Sequence, residues 1–362
     1  MSAGCDRNVA MTQEDRVPAQ GTVEAATGEQ LALVRARVRG DRSLPPAGGT
    51  TQGDPIAEVL VDLPLAHLDR PFEYSVPDEL AATAVPGARV RVRFAGQDVD
   101  GFVIARKEQP EHQGRLAPLR RVVSPEPVLT PAVLDTCREV ARARAGTVSD
   151  VLRLAVPPRH ATAERNLSGE PAPTPPRPDP GPWGELRSGD AFLRHLAEGR
   201  SPHACWQATP SGGDPERDWP HLLAVAAATT LSSGRGALLV VPDHRDVDRV
   251  DAALTAVLGK GSHVRLTAAQ GPQARYTAWL KVLRGHVRCV VGTRAAMFAP
   301  VQDLGLVSWW DDGDDLLAEP RAPYPHVRDV LLARARREGA AALAGGFARS
   351  VEVQRLVEIG RA

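Results

Sequence analysis

The residues of this 362-residue chain whose types and spacing could do chemistry gather in two runs. Cys289-Val-Val-Gly-Thr-Arg-Ala-Ala-Met-Phe-Ala-Pro300 sets a Gly-Thr-Arg step after an apolar strand, and Asp303-Leu-Gly-Leu-Val-Ser-Trp-Trp-Asp-Asp-Gly-Asp314 carries a second apolar strand into acidic residues. That is the layout of a nucleotide-driven motor, in which an acidic strand end holds magnesium and a glycine-rich loop with a lysine and a hydroxyl cradles the phosphates. The loop chemistry is missing. Lys107, Lys260 and Lys281 are the only lysines, and none stands in a G-x-x-x-x-G-K-[ST] frame. Where the loop belongs, after His203-Ala-Cys-Trp206, the chain reads Gln207-Ala-Thr-Pro-Ser-Gly-Gly-Asp214. There Pro210 removes a backbone donor and Asp214 brings a negative charge.

Other candidate chemistry is thin. Asp311, Asp312, Asp314 and Asp315 could hold a cation at a strand end or form a solvated loop. The ten histidines have no ligand spacing, and Ser211 and Ser350 have no base near in sequence. The four cysteines, Cys5, Cys137, Cys205 and Cys289, form no C-x-x-C pair, so neither a zinc site nor a disulfide framework is signalled.

The elements that must position these residues are legible in the apolar pattern. Apolar residues alternate through Val85 to Val92 and again around Gly101 to Ile104, bounded by Gly and Pro, which predicts short strands of a small barrel. Arg89, Arg91 and Arg93 then share one strand face. Such a stripe either grips phosphates or stays solvated. Phe72 and Tyr74 either stack on an exposed base or pack a hairpin. From Trp183 onward helical runs alternate with continuous apolar strands at 236–241, 264–266, 287–291, 304–308 and 340–344. That pattern predicts a parallel α/β sheet buried on both faces.

In segment order the chain resembles the PriA replication-restart family (primosomal protein N′), and in particular its actinobacterial-looking branch. The family's phosphate loop resembles T-G-S-G-K-T, which sets Thr209, Pro210, Ser211, Gly212, Gly213 and Asp214 against it, with Gly213 for the lysine and Asp214 for the metal-binding threonine. The acidic motif resembles L-G-L-I-I-V-D-E-E-H-D, so Leu304-Gly305-Leu306 place Trp310 on the metal-binding aspartate, followed by Asp311 and Asp312; a one-residue shift would restore Asp311. The third motif, resembling G-S-A-T-P-S, is Gly345-Gly-Phe-Ala-Arg-Ser350. Thr293 and Arg294 match a step on the DNA-facing side of the family's motor, or else are a polar turn closing a strand.

The resemblance reaches the front of the chain through Ile56-Ala-Glu-Val-Leu-Val-Asp-Leu-Pro-Leu65, Arg70-Pro-Phe-Glu-Tyr-Ser-Val-Pro77, Pro86-Gly-Ala-Arg-Val-Arg-Val-Arg-Phe94, Glu126-Pro-Val-Leu-Thr130 and Ser149-Asp-Val-Leu-Arg-Leu-Ala-Val-Pro157. It implies a 3′ DNA-binding domain whose aromatic-acidic-aromatic residues, here Phe72, Glu73 and Tyr74, receive the terminal base and sugar of a 3′ end. Ala95 stands where the family has glycine, and Ala117 where it has lysine. With that lysine gone, Arg89, Arg91 and Arg93 are the expected phosphate contacts.

With 44 basic and 44 acidic residues the chain has no general excess for polyanions, so DNA contact is expected to be local. No apolar run reaches membrane-span length and the start lacks a signal-peptide pattern, which predicts a soluble cytoplasmic protein, and the resemblance implies association with the nucleoid. The expected fold is multidomain: a low-complexity extension at 1–54 with a helix around Glu24 to Val38, a barrel-like 3′ DNA-binding domain at 55–157, a Pro-rich linker at 158–182, and a degenerate RecA-like helicase lobe at 183–362. The family's winged-helix segment, cysteine-rich zinc region and second motor lobe are not seen, so the chain reads as a piece that stops after the first lobe.

The expected function is a DNA-binding replication-restart protein recognising the 3′ end at stalled or branched forks, without catalytic residues or a resident metal. The resemblance implies ATP, magnesium and zinc for the family, and as partners a single-strand DNA-binding protein and the machinery that loads the replicative helicase. Two alternatives stay open. One is an ATP-dependent 3′-to-5′ helicase, the other a primosome scaffold without DNA contact.

Overall fold

A computed structural model describes residues 54–361. The extension, its expected helix at Glu24 to Val38 and Cys5 lie outside those residues. Within the described residues both sheets belong to one compact unit.

Period-two alternation builds the front. Strands β1 (Ile56–Val61), β2 (Phe72–Ser75), β3 (Ala88–Phe94), β4 (Gln97–Lys107) and β5 (Leu119–Pro127) form one sheet in the order β2-β1-β4-β3-β5. β1 pairs antiparallel with β2 and β4, and β3 with β5. The two edges meet: Ser75 bridges to Pro118, just ahead of β5, and its amide donates to Ala117 O at 3.0 Å. The sheet therefore closes into the small barrel the alternation predicts. Val59, Val90, Val92 and Val103 are wholly buried inside it, packed with Tyr74 and Leu119. Ala95 (φ 47°) and Gly96 (φ 79°) make the turn between β3 and β4. Glycine takes the left-handed conformation without steric cost, whereas Ala95 is strained there.

Helices follow. Pro131–Ala143 (α1) starts where Thr130 accepts the Val133 amide, and Val148–Ala155 (α2) where Thr147 accepts that of Asp150. The linker expected at 158–182 is shorter than predicted. His160 caps a further helix, Ala161–Asn166 (α3), and Ala163 is buried in the core. Glu164 takes hydrogen bonds from Arg159, Ser124 and Tyr276. These tertiary bonds fix a segment whose prolines suggested only a spacer. Residues 167–180 hold no helix or strand.

Beyond a short turn at Gly181–Glu185 and helix α4 (Gly189–Ala197), six strands form the second sheet. They are β6 (His203–Gln207), β7 (Gly236–Val240), β8 (Val264–Leu266), β9 (Cys289–Gly292), β10 (Leu304–Trp310) and β11 (Ala341–Gly346), ordered β6-β11-β10-β7-β9-β8 and parallel throughout. The crossovers use α5 (Trp219–Ser232), α6 (His244–Leu258), α7 (Pro272–Leu283) and α8 (Val327–Glu338), and α9 (Val351–Glu358) follows β11. Successive strand residues feed two cores. Leu239, Val291, Leu306 and Leu343 pack with α4, α5 and α6; Leu238, Val240, Val290 and Val307 pack with α7 and α8. Burial on both faces is why these strands read as continuous apolar runs. Leu60 and Phe102 of the barrel, and the inner faces of α1 and α2, belong to the second of these cores.

Candidate nucleic-acid interface

Phe72 and Tyr74 lie two residues apart on β2 and so share a face, while Glu73 takes the other. Phe72 is half-buried, with Phe94 edge-on at 4.9 Å and the Arg70 guanidinium 4.8 Å from its centroid. Tyr74 is buried at 4% exposure among the barrel residues. Its hydroxyl donates to Arg93 O at 3.4 Å, and burial pushes the phenol up to about 12. The expectation that both rings sandwich a base is therefore corrected for Tyr74: closing the barrel turned that ring inward, and Phe72 is the ring left at the rim.

Glu73 accepts the amides of Glu111 at 3.0 Å and His112 at 2.9 Å. Those amides, with Lys107 nearby, hold its carboxyl below the usual range. Glu58, Glu73 and Glu111 approach as closely as metal ligands, yet the Lys107 ammonium sits among them, 2.5 Å from Glu58 and 2.6 Å from Glu111. Ala117 is half-buried, and its carbonyl closes the barrel against Ser75.

Arg89, Arg91 and Arg93 do share the outer face of β3, opposite Val90 and Val92. Within the fold each of the three guanidiniums has a partner of its own. Arg91 pairs with Asp100 at 2.7 Å and Arg93 with Asp98 at 3.4 Å, both carboxylates supplied by β4. Arg89 packs over Phe102 at 4.9 Å and donates to Pro157 O at 2.6 Å.

The residues expected to form a degenerate nucleotide site are positioned by β6, β10, β11 and the start of α5. Ser211, Gly212, Gly213 and Asp214 form a turn in which both glycines adopt positive φ, 63° and 93°. Asp214 faces Arg217 and caps the Glu216 amide. At the helix start, where an anion would be received, the Asp218 carboxylate accepts the Trp219 amide at 3.0 Å and pairs with Arg249 at 2.8 Å. A carboxylate of the chain itself thus holds the position. The Asp-Trp-Pro order at 218–220 is a helix-start signature that sequence reading could have used.

Trp310, on the metal-binding position, is buried. It stacks on Trp219 at 4.2 Å and 8°, meets Phe347 edge-on at 5.3 Å and lies 5.6 Å from Trp206, which adjoins Trp183. Asp311 begins the loop at φ 55°, its pKa raised by burial, then by Asp314 and Asp312. Asp312 turns inward and accepts from Trp309 Nε1 at 2.7 Å, from Arg328 at 2.6 Å and from the Ser350 hydroxyl. Asp312 and Ser350 are thereby joined in one hydrogen-bonded hub. Thr293 follows β9 and precedes a short turn, and Arg294 is taken by Glu319 at 3.0 Å and Leu316 O at 2.9 Å. The residues present do not fit ATP and magnesium: the lysine and threonine are absent, the helix start is capped by Asp218, and an aromatic stack fills the strand end.

Residues 58–157 match the family model of the PriA 3′ DNA-binding domain (3′BD). The chain is 50% identical over 299 residues to the probable replication restart protein PriA of Mycobacterium tuberculosis, a match spanning 82% of this chain and 45% of the relative. The chain belongs to the PriA family. PriA of Mycobacterium leprae is 49% identical over 302 residues, 82% of this chain and 46% of its own; PriA of Treponema pallidum is 25% identical over 308 residues, 82% and 44%. The chain spans a little under half the length of these PriA relatives. Among solved structures, the DUF1998 helicase MrfA bound to DNA matches at 12% identity over 44% of this chain and 22% of its own, with a TM-score of 0.29, too low to speak to the fold.

Proposed function

We propose that this PriA-family chain binds DNA in replication restart, recognising the 3′ end of a strand at a stalled or branched fork, and that it does so without an ATP-driven motor. The observation that carries the reading is the closed barrel that coincides with the 3′ DNA-binding domain match. Phe72 at its rim, backed by Phe94 and flanked by Arg70, offers the stacking surface an unpaired terminal base needs. Absence of a motor is supported by the aromatic stack of Trp310 and Trp219 and by Asp218 at the helix start. The partners that fit this role are a single-strand DNA-binding protein and the machinery that loads the replicative helicase, and the place is the nucleoid. Among the described residues no helix is long and apolar enough to cross a membrane.

The test is binding to forks with a recessed 3′ end against blunt duplex. Preference for the recessed end supports the reading; equal or absent binding sinks it. Absent binding is what the scaffold alternative requires, and that alternative draws on inward-turned Tyr74 and on the ion pairs that occupy Arg91 and Arg93.

A further inference from the structure

Arg89 turns from β3 under the barrel, where its guanidinium spends one donor on Pro157 O. Its Nε is buried without a hydrogen-bond partner, and no carboxylate of the described residues pairs with it. Burial lowers its pKa, and the fields of Tyr276, Asp100 and Asp62 oppose that shift. A guanidinium held partly out of water without a counter-charge is unfavourable.

The guanidinium borders a cavity of about 310 Å³ between the barrel and α2, walled largely by apolar residues such as Leu60 and Leu152. Asp62 also lines it, but its carboxylate is spoken for: Ser149 Oγ donates to it at 2.9 Å and Arg153 Nε at 2.8 Å. With Asp62 and Arg153 cancelling, the cavity is left with one net positive charge and unused donors on a planar fork. Such a fork matches two oxygens of one oxyanion.

We propose that this cavity is a binding site for a phosphate oxyanion, held by Arg89 and supplied either by a DNA backbone phosphate or by free phosphate. The site is distinct from the Phe72 rim. Only the choice of phosphate over carboxylate rests on the proposed DNA-binding role.

Thermal melts of the chain in inorganic phosphate, in acetate and in chloride at equal ionic strength test the chemistry. Salt titrations of fork binding test the source. Phosphate is expected to raise the melting temperature saturably over chloride in the wild type and not in Arg89→Gln, with Arg89→Lys partly protected. If DNA is the source, Arg89→Gln also lowers the salt slope of fork binding by about 0.7 to 0.9, the share of one phosphate contact. Phosphate protection with an unchanged slope assigns the site to free phosphate. No protection and no change of slope, or protection by acetate alone, overturns the inference; fork binding in the same assay would leave the proposed function standing. Phosphate protection without any fork binding keeps the site and sinks that function. Should Arg89→Gln fail to fold, Arg89→Lys carries the same comparison.

Discussion

Phe72 and Tyr74 have the same spacing and face but opposite prospects, because one ends at the barrel rim and the other inside it. Tyr74→Ala is expected to leave a core cavity and lower stability by about 3–5 kcal/mol in denaturant melts, the range for deleting a buried large aromatic. Its binding loss should then be the same for recessed-end forks and blunt duplex. Phe72→Ala should cost about 1–3 kcal/mol of fork binding alone. A fork-selective loss in Tyr74→Ala, with stability kept, would show that this ring swings out to meet DNA. Glu73 gives a pH signature. Its folded pKa is depressed, so its contribution is fully present above the unfolded value, about 4.3, and is lost as pH falls through the folded value. Glu73→Gln should therefore melt below the wild type at neutral pH, with the gap closing beneath about pH 4. A gap independent of pH would mean that the carboxylate charge is not what the Glu111 and His112 amides recognise.

Elements carry the nucleotide question. Restoring the missing pair, Gly213→Lys with Asp214→Thr, is expected not to restore ATP binding, because Asp218 still caps α5 and Trp310 still fills the end of β10. Calorimetric titration with Mg-ATP should show no saturable heat for the wild type or the restored variant. A micromolar site in the wild type would refute the closed-site reading. Asp312 now serves structure. Asp312→Ala leaves Arg328, only 13% exposed, to Asp329 and Glu352 and takes the acceptor from Trp309 Nε1 and the Ser350 hydroxyl, and should cost about 1–3 kcal/mol. A loss of less than about 1 kcal/mol, no more than an exposed ion pair is worth, would place the pair effectively in solvent. At this scale much was legible from sequence. Runs such as Leu238 to Val240 and Leu304 to Ser308 are apolar because both faces of the sheet are covered, and Val90 and Val92 alternate because one face is. What was not legible depended on register or on long separation. Asp98 and Asp100 reach Arg93 and Arg91 only once β4 folds beside β3. Trp183, Trp206, Trp219 and Trp310 gather from four separate elements, and α3 owes its place to Ser124 and Tyr276, each remote in sequence.

At the scale of the molecule, the barrel and the parallel sheet do not have separate cores on their shared side. Leu60 and Phe102 lie in the same apolar cluster as Trp279, Val290 and Trp309, with α1 packed on α8 between them. Polar links cross the same boundary. Arg337 donates to Glu139 at 2.8 Å, Arg284 to Glu126 at 2.8 Å, and the Tyr276 hydroxyl to Glu164 at 3.1 Å. A region that unfolded alone would have to expose this apolar surface and leave those groups without partners, which makes joint unfolding the cheaper course. Native-state hydrogen exchange should accordingly find the same opening free energy for amides of β3 in the barrel and β10 in the sheet, with one calorimetric transition. Glu164→Ala, which strands Arg159 and the Tyr276 hydroxyl, should lower protection in both regions together by about 1–3 kcal/mol. If β3 exchanged through a cheaper opening than β10, or if the substitution weakened only one of them, the barrel would be an independently folding module, and a ligand bound at its rim would have no mechanical route into the parallel sheet.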